Sequence, residues 1–195
     1  MGNMGAVFIG VCVVAALAIS VFAMRGKREI KKECASGESK IDAQFYSKVY
    51  VPEEKFAGVE FNLEGKPLVG ILNPEALKLE PKIAFRWFLS ILISYKDTVG
   101  EDMPNSVDVL RIQSFGEQLD KNIKDDKRHP NAVFVGRITG NGQTQMMWYV
   151  NNPELANHYL QNLISSEKYP FEFIFEMYAD DDWKEGHYWL DPLYE

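Results

Sequence analysis

Catalytic vocabulary is scarce in this chain. The 195 residues include two cysteines, Cys12 and Cys34, and three histidines, His129, His158 and His187. Both cysteines precede the region that carries the folded pattern, so no disulfide framework holds the fold and it rests on an apolar core. No histidine stands at zinc-type spacing from a cysteine or another histidine. Walker, dinucleotide and nucleophile-elbow fingerprints are missing. Ser114 and Ser165 fall in expected helices without a base nearby in sequence. No catalytic residue and no cofactor is therefore expected. Excess positive charge is missing too: the net charge is −7. Nucleic-acid binding requires cations that replace counterions, so the charge argues against a general nucleic-acid binder and no nucleic-acid partner is expected.

No cationic side chain precedes the first apolar run. That run, Ala6–Met24, is uncharged, and as a helix it would span about 28 Å, close to the hydrocarbon thickness of a bilayer. The eight residues that follow, RGKREIKK, hold five cations and one anion. A cleavable signal peptide carries its cations before the apolar core. An anchor that leaves its C-terminal domain in the cytoplasm carries them after it. The expectation is a single-pass anchor over 1–24, a basic and polar tether over 25–55, and a cytoplasmic domain over 56–195.

Within that domain the clearest local signal is Asn131–Val150. Ala132, Phe134, Gly136 and Ile138 share one parity, and Val133, Val135, Arg137 and Thr139 the other. Gly140-Asn141-Gly142 supplies residues that tolerate positive φ, and Trp148-Tyr149-Val150 resumes a strand. A phosphate-cradling loop would need a helix immediately after the glycines; a strand follows instead.

Around this hairpin the elements alternate. Val59–Leu72 reads as a first hairpin, and Asn73-Pro74-Glu75 starts a short helix that Pro81 ends. Ile83–Tyr95 reads as a central strand with one wholly apolar face. Asn105 or Ser106 caps a helix running to Lys124, with Val107, Leu110, Phe115, Leu119 and Ile123 as its stripe. The cations Lys121, Lys124, Lys127 and Arg128 suit its C-terminal end. Asn152-Pro153 starts a second helix with Leu155, Tyr159 and Leu163 inward and Leu160 and Ile164 as further candidates for that face, and Phe171–Tyr178 is a last strand. From Ile83 the order is strand, helix, strand, strand, helix, strand. That order predicts an α+β, ferredoxin-like βαββαβ antiparallel sheet with an added N-terminal hairpin.

The tail Ala179–Glu195 is acidic and aromatic. Asp180, Asp182, Glu185 and His187 are the candidate metal ligands, although their spacing fits no regular calcium loop. A solvated acidic tail whose aromatics fold over an open end of the sheet is the competing reading.

Several motifs occur in an order that resembles a bacterial family catalogued as domain of unknown function six hundred ninety-five. They are Gly65-Lys66-Pro67, the Gly100–Pro104 loop, Val135-Gly136-Arg137-Ile138-Thr139 with Gly142, Trp148-Tyr149-Val150, Asp182-Trp183 and Tyr188. Family members usually carry Asp-Pro-x-Trp in the tail, where this chain has Asp180-Asp181-Asp182-Trp183. The domain is also similar at fold level to the B-type regulator of ribonuclease E activity, an acidic protein inhibitor, and that likeness implies protein binding. The combined expectation is a membrane-tethered, non-enzymatic protein-interaction or regulatory module. Arg137, Gln145, Asp181, Trp183 and Tyr188 are the expected contact residues. The alternative is a small-ligand binder or enzyme with its site near the tail.

Overall fold

The computed structural model describes residues 48–63, 65–100, 102–125 and 129–194. The expected membrane span, its basic flank and both cysteines lie outside these residues, as do Lys127 and Arg128. Among the described residues no helix is long and apolar enough to cross a membrane.

The domain is α+β. Its strands are β1 (Ala57–Leu63), β2 (Lys66–Leu72), β3 (Trp87–Ser94), β4 (Thr98–Val99), β5 (Met103–Pro104), β6 (Ala132–Gly140), β7 (Gln143–Val150) and β8 (Phe173–Ala179). Its helices are α1 (Ser106–Lys124), α2 (Pro153–Ser166) and α3 (Lys184–Leu190). Short 3-10 turns occupy Pro74–Lys78, Lys82–Phe85 and Asp191–Leu193. The main sheet runs β1-β2-β6-β7-β3-β8, with every neighbouring pair antiparallel. β4 and β5 form a separate two-stranded ribbon.

Local chemistry sets the element ends. Asn105 Oδ1 accepts hydrogen bonds from the Val107 and Asp108 amides, both at 2.9 Å, and so starts α1. Asn152 does the same for α2, accepting from the Glu154 and Leu155 amides, with Pro153 at the first helical position. The β6–β7 turn holds Asn141 at φ 51° and Gly142 at φ 73°. Two successive positive φ values match the right-handed twist of a hairpin.

Each face of the sheet carries a buried core. On one, Leu89, Ile91, Ile93, Met146, Trp148 and Val150 pack against Ile112, Phe115, Leu119 and Ile123 of α1 and Ala156, Leu160 and Leu163 of α2. On the other, Leu68, Leu72, Val133, Val135, Met147 and Tyr149 pack against Ala76, Leu79 and Phe85 and against Trp183, Trp189 and Leu190 of the tail. The tail aromatics therefore pack on a face of the sheet and do not cap an open sheet end as expected, while Ile174 of β8 on that same face stays 58% exposed.

Three expectations are corrected. The strand expected over Ile83–Tyr95 starts at Trp87, because Lys82–Phe85 is a 3-10 turn, and β3 buries residues of both parities. The α1 stripe is shifted: Val107 and Leu110 are 63% and 68% exposed, while Ile112 is buried. The five-residue step from Leu110 to Phe115 rotates by about 140° on a helix, so the two cannot share a face. In α2, Leu155 is exposed, while Ala156, Leu160 and Leu163 are buried.

Candidate functional site: the Arg137 cleft

A β-bulge builds the site. Phe134 pairs with Trp148, but Gly136 pairs with Met147, so β6 spends one extra residue against β7. Beyond the bulge the alternation is reversed. Strict period 2 puts Phe134 and Arg137 on opposite faces. The bulge puts both on the helix face, where Arg137 lies opposite Met146.

The width of the sheet does the rest. Two helices cover part of one face, and among the described residues none from β1 or β2 belongs to the helix-side core. Val69 and Ile71 therefore stand on an open shelf, 43% and 37% exposed. Where the shelf meets α1, the step is a cleft of about 360 Å³. Arg137 and Met146 line it from the sheet, and Gln113, Gly116, Glu117 and Asp120 from α1. Phe56 and Ile71 add apolar surface on the shelf side, with Glu54 beside them. Phe56 and Phe134 meet edge to face at 6.1 Å, and Phe134 leans on buried Trp148 at 5.2 Å. Gly116 has a spatial reason: a Cβ there would lie 2.6 Å from Met146 Cε.

Most charged groups in the cleft are engaged. Lys124 Nζ reaches Glu54 at 2.7 Å and Asp120 at 2.8 Å. Trp148 Nε1 donates to the other Asp120 oxygen at 2.9 Å, and Gln113 donates to Glu117 at 3.1 Å. Arg137 differs. Among the described residues no hydrogen bond or ion pair reaches its guanidinium. Burial lowers its pKa from the ordinary arginine value, and the Glu117 charge partly offsets this.

The residues picked out in the tail do other work. Asp180 is buried and accepts three hydrogen bonds: from Tyr149 Oη at 2.6 Å, and from the Lys184 and Glu185 amides at 2.9 and 3.0 Å. The Gly186 amide donates to Tyr149 Oη at 2.9 Å. Burial first, and then the Asp180 contact, hold the Tyr149 hydroxyl protonated far above the ordinary tyrosine range. Trp183 is fully buried, stacked on Tyr149 at 3.8 Å and 5°, with Nε1 donating to the Phe85 carbonyl at 2.9 Å. It is a core residue rather than a contact residue.

The other candidates are dispersed. Asp182 lies 3.5 Å from Lys184, Glu185 accepts from Tyr178 at 2.9 Å, and His187 sits 3.0 Å from Asp191. Among the described residues no group of three or more His, Cys, Asp or Glu side chains gathers as a metal site. Asp181 clasps Arg86 at 2.7 and 2.9 Å on the surface. Tyr188 packs edge to face on Trp189 at 5.0 Å. Gln145 receives no help from Arg137: it lies on the opposite face, donating to Ser90 Oγ at 2.9 Å.

Arg137 is legible in the sequence as a polar side chain on a strand, but its neighbours are not. Glu54, Phe56, Glu117 and Asp120 are far apart in the chain, and no local pattern joins them. The one available signal was Val135-Gly136, a small residue inside a strand, which can mark a bulge.

No curated protein and no solved structure matches the chain. Residues 58–193, which run from β1 to the last 3-10 turn and include Arg137, match a described family. The chain belongs to the Family of unknown function (DUF695).

Proposed function

We propose that this chain is a non-enzymatic interaction module, tethered to the cell membrane by Ala6–Met24 with its domain on the cytoplasmic side, and that it engages a protein partner at the Arg137 cleft. The observation that carries the reading is the half-buried guanidinium of Arg137, which has no partner among the described residues, beside an exposed apolar shelf. A self-sufficient surface pairs its charges and covers its apolar strands; this one leaves both open at the same place. The net charge of −7 favours a partner with basic surroundings. The strand order β6-β7-β3-β8, with α1 and α2 as the two crossovers, supports a ferredoxin-like reading of this part. The likeness to the B-type regulator of ribonuclease E activity adds an analogy for protein binding.

Two experiments test the proposal. A C-terminal reporter fused after Glu195 should be active only as a cytoplasmic fusion; activity on the other side of the membrane overturns the sidedness. Cross-linked capture of the full-length chain from membranes should recover one recurrent protein that an Arg137→Glu variant loses. Identical recovery by both chains removes the cleft from the function.

A further inference from the structure

We infer that the Arg137 cleft is a receptor for a chain terminus: it takes the free C-terminal carboxylate of a partner protein whose last residue is apolar. This rests on the interaction reading above and names the chemistry of the same site.

A guanidinium presents its N–H donors as a flat fork, which matches the two oxygens of a carboxylate. Arg137 has that fork, is partly desolvated, and has no acceptor among the described residues. A carboxylate arriving there gains a charge-assisted pair in a partly dry setting, where attraction exceeds its value in water. Beside the fork, Phe56, Phe134, Ile71 and Met146 offer an apolar recess. About 360 Å³ is at the small end of ligand sites, enough for one side chain and its terminal group. The recess continues onto the open shelf of Val69 and Ile71, which leaves room for the residues before the terminus.

The acids nearby narrow the choice further. Lys124 already holds Glu54 and Asp120, so among the described residues that line the cleft Arg137 is the cation left for an incoming anion. Glu117 stays close enough to act on Arg137. A phosphate dianion would meet that acid with surplus charge, while a single carboxylate matches the single guanidinium. A cationic ligand would meet the like charge of Arg137 itself, and both Asp120 oxygens already accept, one from Lys124 and one from Trp148 Nε1.

The test is calorimetric titration of the full-length chain in detergent micelles. The probes are N-acetyl-phenylalanyl-leucine, its C-terminal amide, 3-phenylpropionate and phenethylamine. The dipeptide acid should bind, with the amide weaker by about tenfold or more, the loss expected for one charge-assisted pair. Arg137→Gln should lose affinity by a similar factor. Arg137→Lys, which keeps the charge and loses the fork, should fall between. Glu117→Gln should strengthen the acid several-fold, because it removes a repelling charge. Thermal unfolding of each variant guards against reading misfolding as lost binding.

Equal binding of acid and amide, or undiminished binding by a folded Arg137→Gln or Arg137→Lys, overturns the inference. So does no binding of the dipeptide acid. Preference for phenethylamine, weakened by Glu117→Gln, would make the site cationic-ligand-specific and overturn it as well. If 3-phenylpropionate binds as tightly as the dipeptide, the chain-terminus assignment falls. An Arg137-dependent partner that is captured equally well after its C-terminus is blocked leaves the interaction module standing and removes only this inference.

Discussion

The Tyr149 hydroxyl should hold the tail to the sheet. Removing it as Tyr149→Phe keeps the ring that stacks on Trp183 at 3.8 Å. Two hydrogen bonds disappear: the one Tyr149 Oη donates to Asp180 at 2.6 Å, and the one it accepts from the Gly186 amide at 2.9 Å. The first involves a carboxylate; its loss is worth about 1.5–3 kcal/mol. The second leaves a buried N–H without a partner, a further cost of about 1 kcal/mol. The sum, roughly 3 kcal/mol, should lower the melting temperature by about 9 °C in a domain of this size. The matched control is Asp181→Asn. Its partner Arg86 is 42% exposed and Asp181 50%, so that pair should contribute less than about 0.5 kcal/mol. Thermal unfolding by circular dichroism on the full-length chain measures both. Hydrogen exchange at Gly186 localises the effect: its amide should lose protection in Tyr149→Phe and keep it in Asp181→Asn. A Tyr149→Phe variant that melts within about 1 °C of the parent, or an Asp181→Asn variant that melts lower than it, refutes the assignment of Asp180 as the tail's anchor.

Further outcomes follow from the same contacts. Asn105→Ala should destabilise the domain by about 1 kcal/mol, read as a lower melting temperature, because two α1 amides lose their acceptor. Gly142→Ala should cost about 1 kcal/mol by strain at φ 73°, and Asn141→Gly in the same turn should be better tolerated. Alkali should unfold the domain. Burial raises the pKa of Tyr149, Tyr178 and Tyr95 in the folded state, whereas unfolded tyrosine ionises near about 10. The folded state therefore retains protons that the unfolded state releases, and stability present below pH ~10 declines as pH rises above it. Melting temperatures measured from neutral pH upward should fall above that point, and less steeply in Tyr149→Phe.

Elements written by neighbouring residues were legible in the sequence. Asn105 and Asn152-Pro153 announce their helices through side chains that reach the next turn, and Asn141-Gly142 announces its hairpin through tolerance of positive φ. Their causes lie within three or four residues, so no knowledge of the rest of the chain is required. The mixed α+β class and the order of the main-sheet strands and the two long helices from Trp87 to Ala179 follow from such local signals; the β4–β5 ribbon does not, since Met103–Pro104 reads as part of a loop and its two-residue strands carry no periodicity.

Tertiary structure decided which face each residue serves. Leu110 is as apolar as Leu119, yet one is exposed and the other buried, because only the second points at the sheet. Trp183 and Asp180 read as tail surface until the chain folds back and Tyr149, 31 residues earlier, meets Asp180. Arg137 reads as the far side of Phe134 until the bulge turns it onto the same face. The cleft requires the bulge, the end of α1 coverage and the N-terminal segment at Glu54 and Phe56 at once. Periodicity in a sequence reports a single element against an imagined flat partner. Register shifts and the limits of coverage arise only when real elements meet, and those set where Arg137 stands.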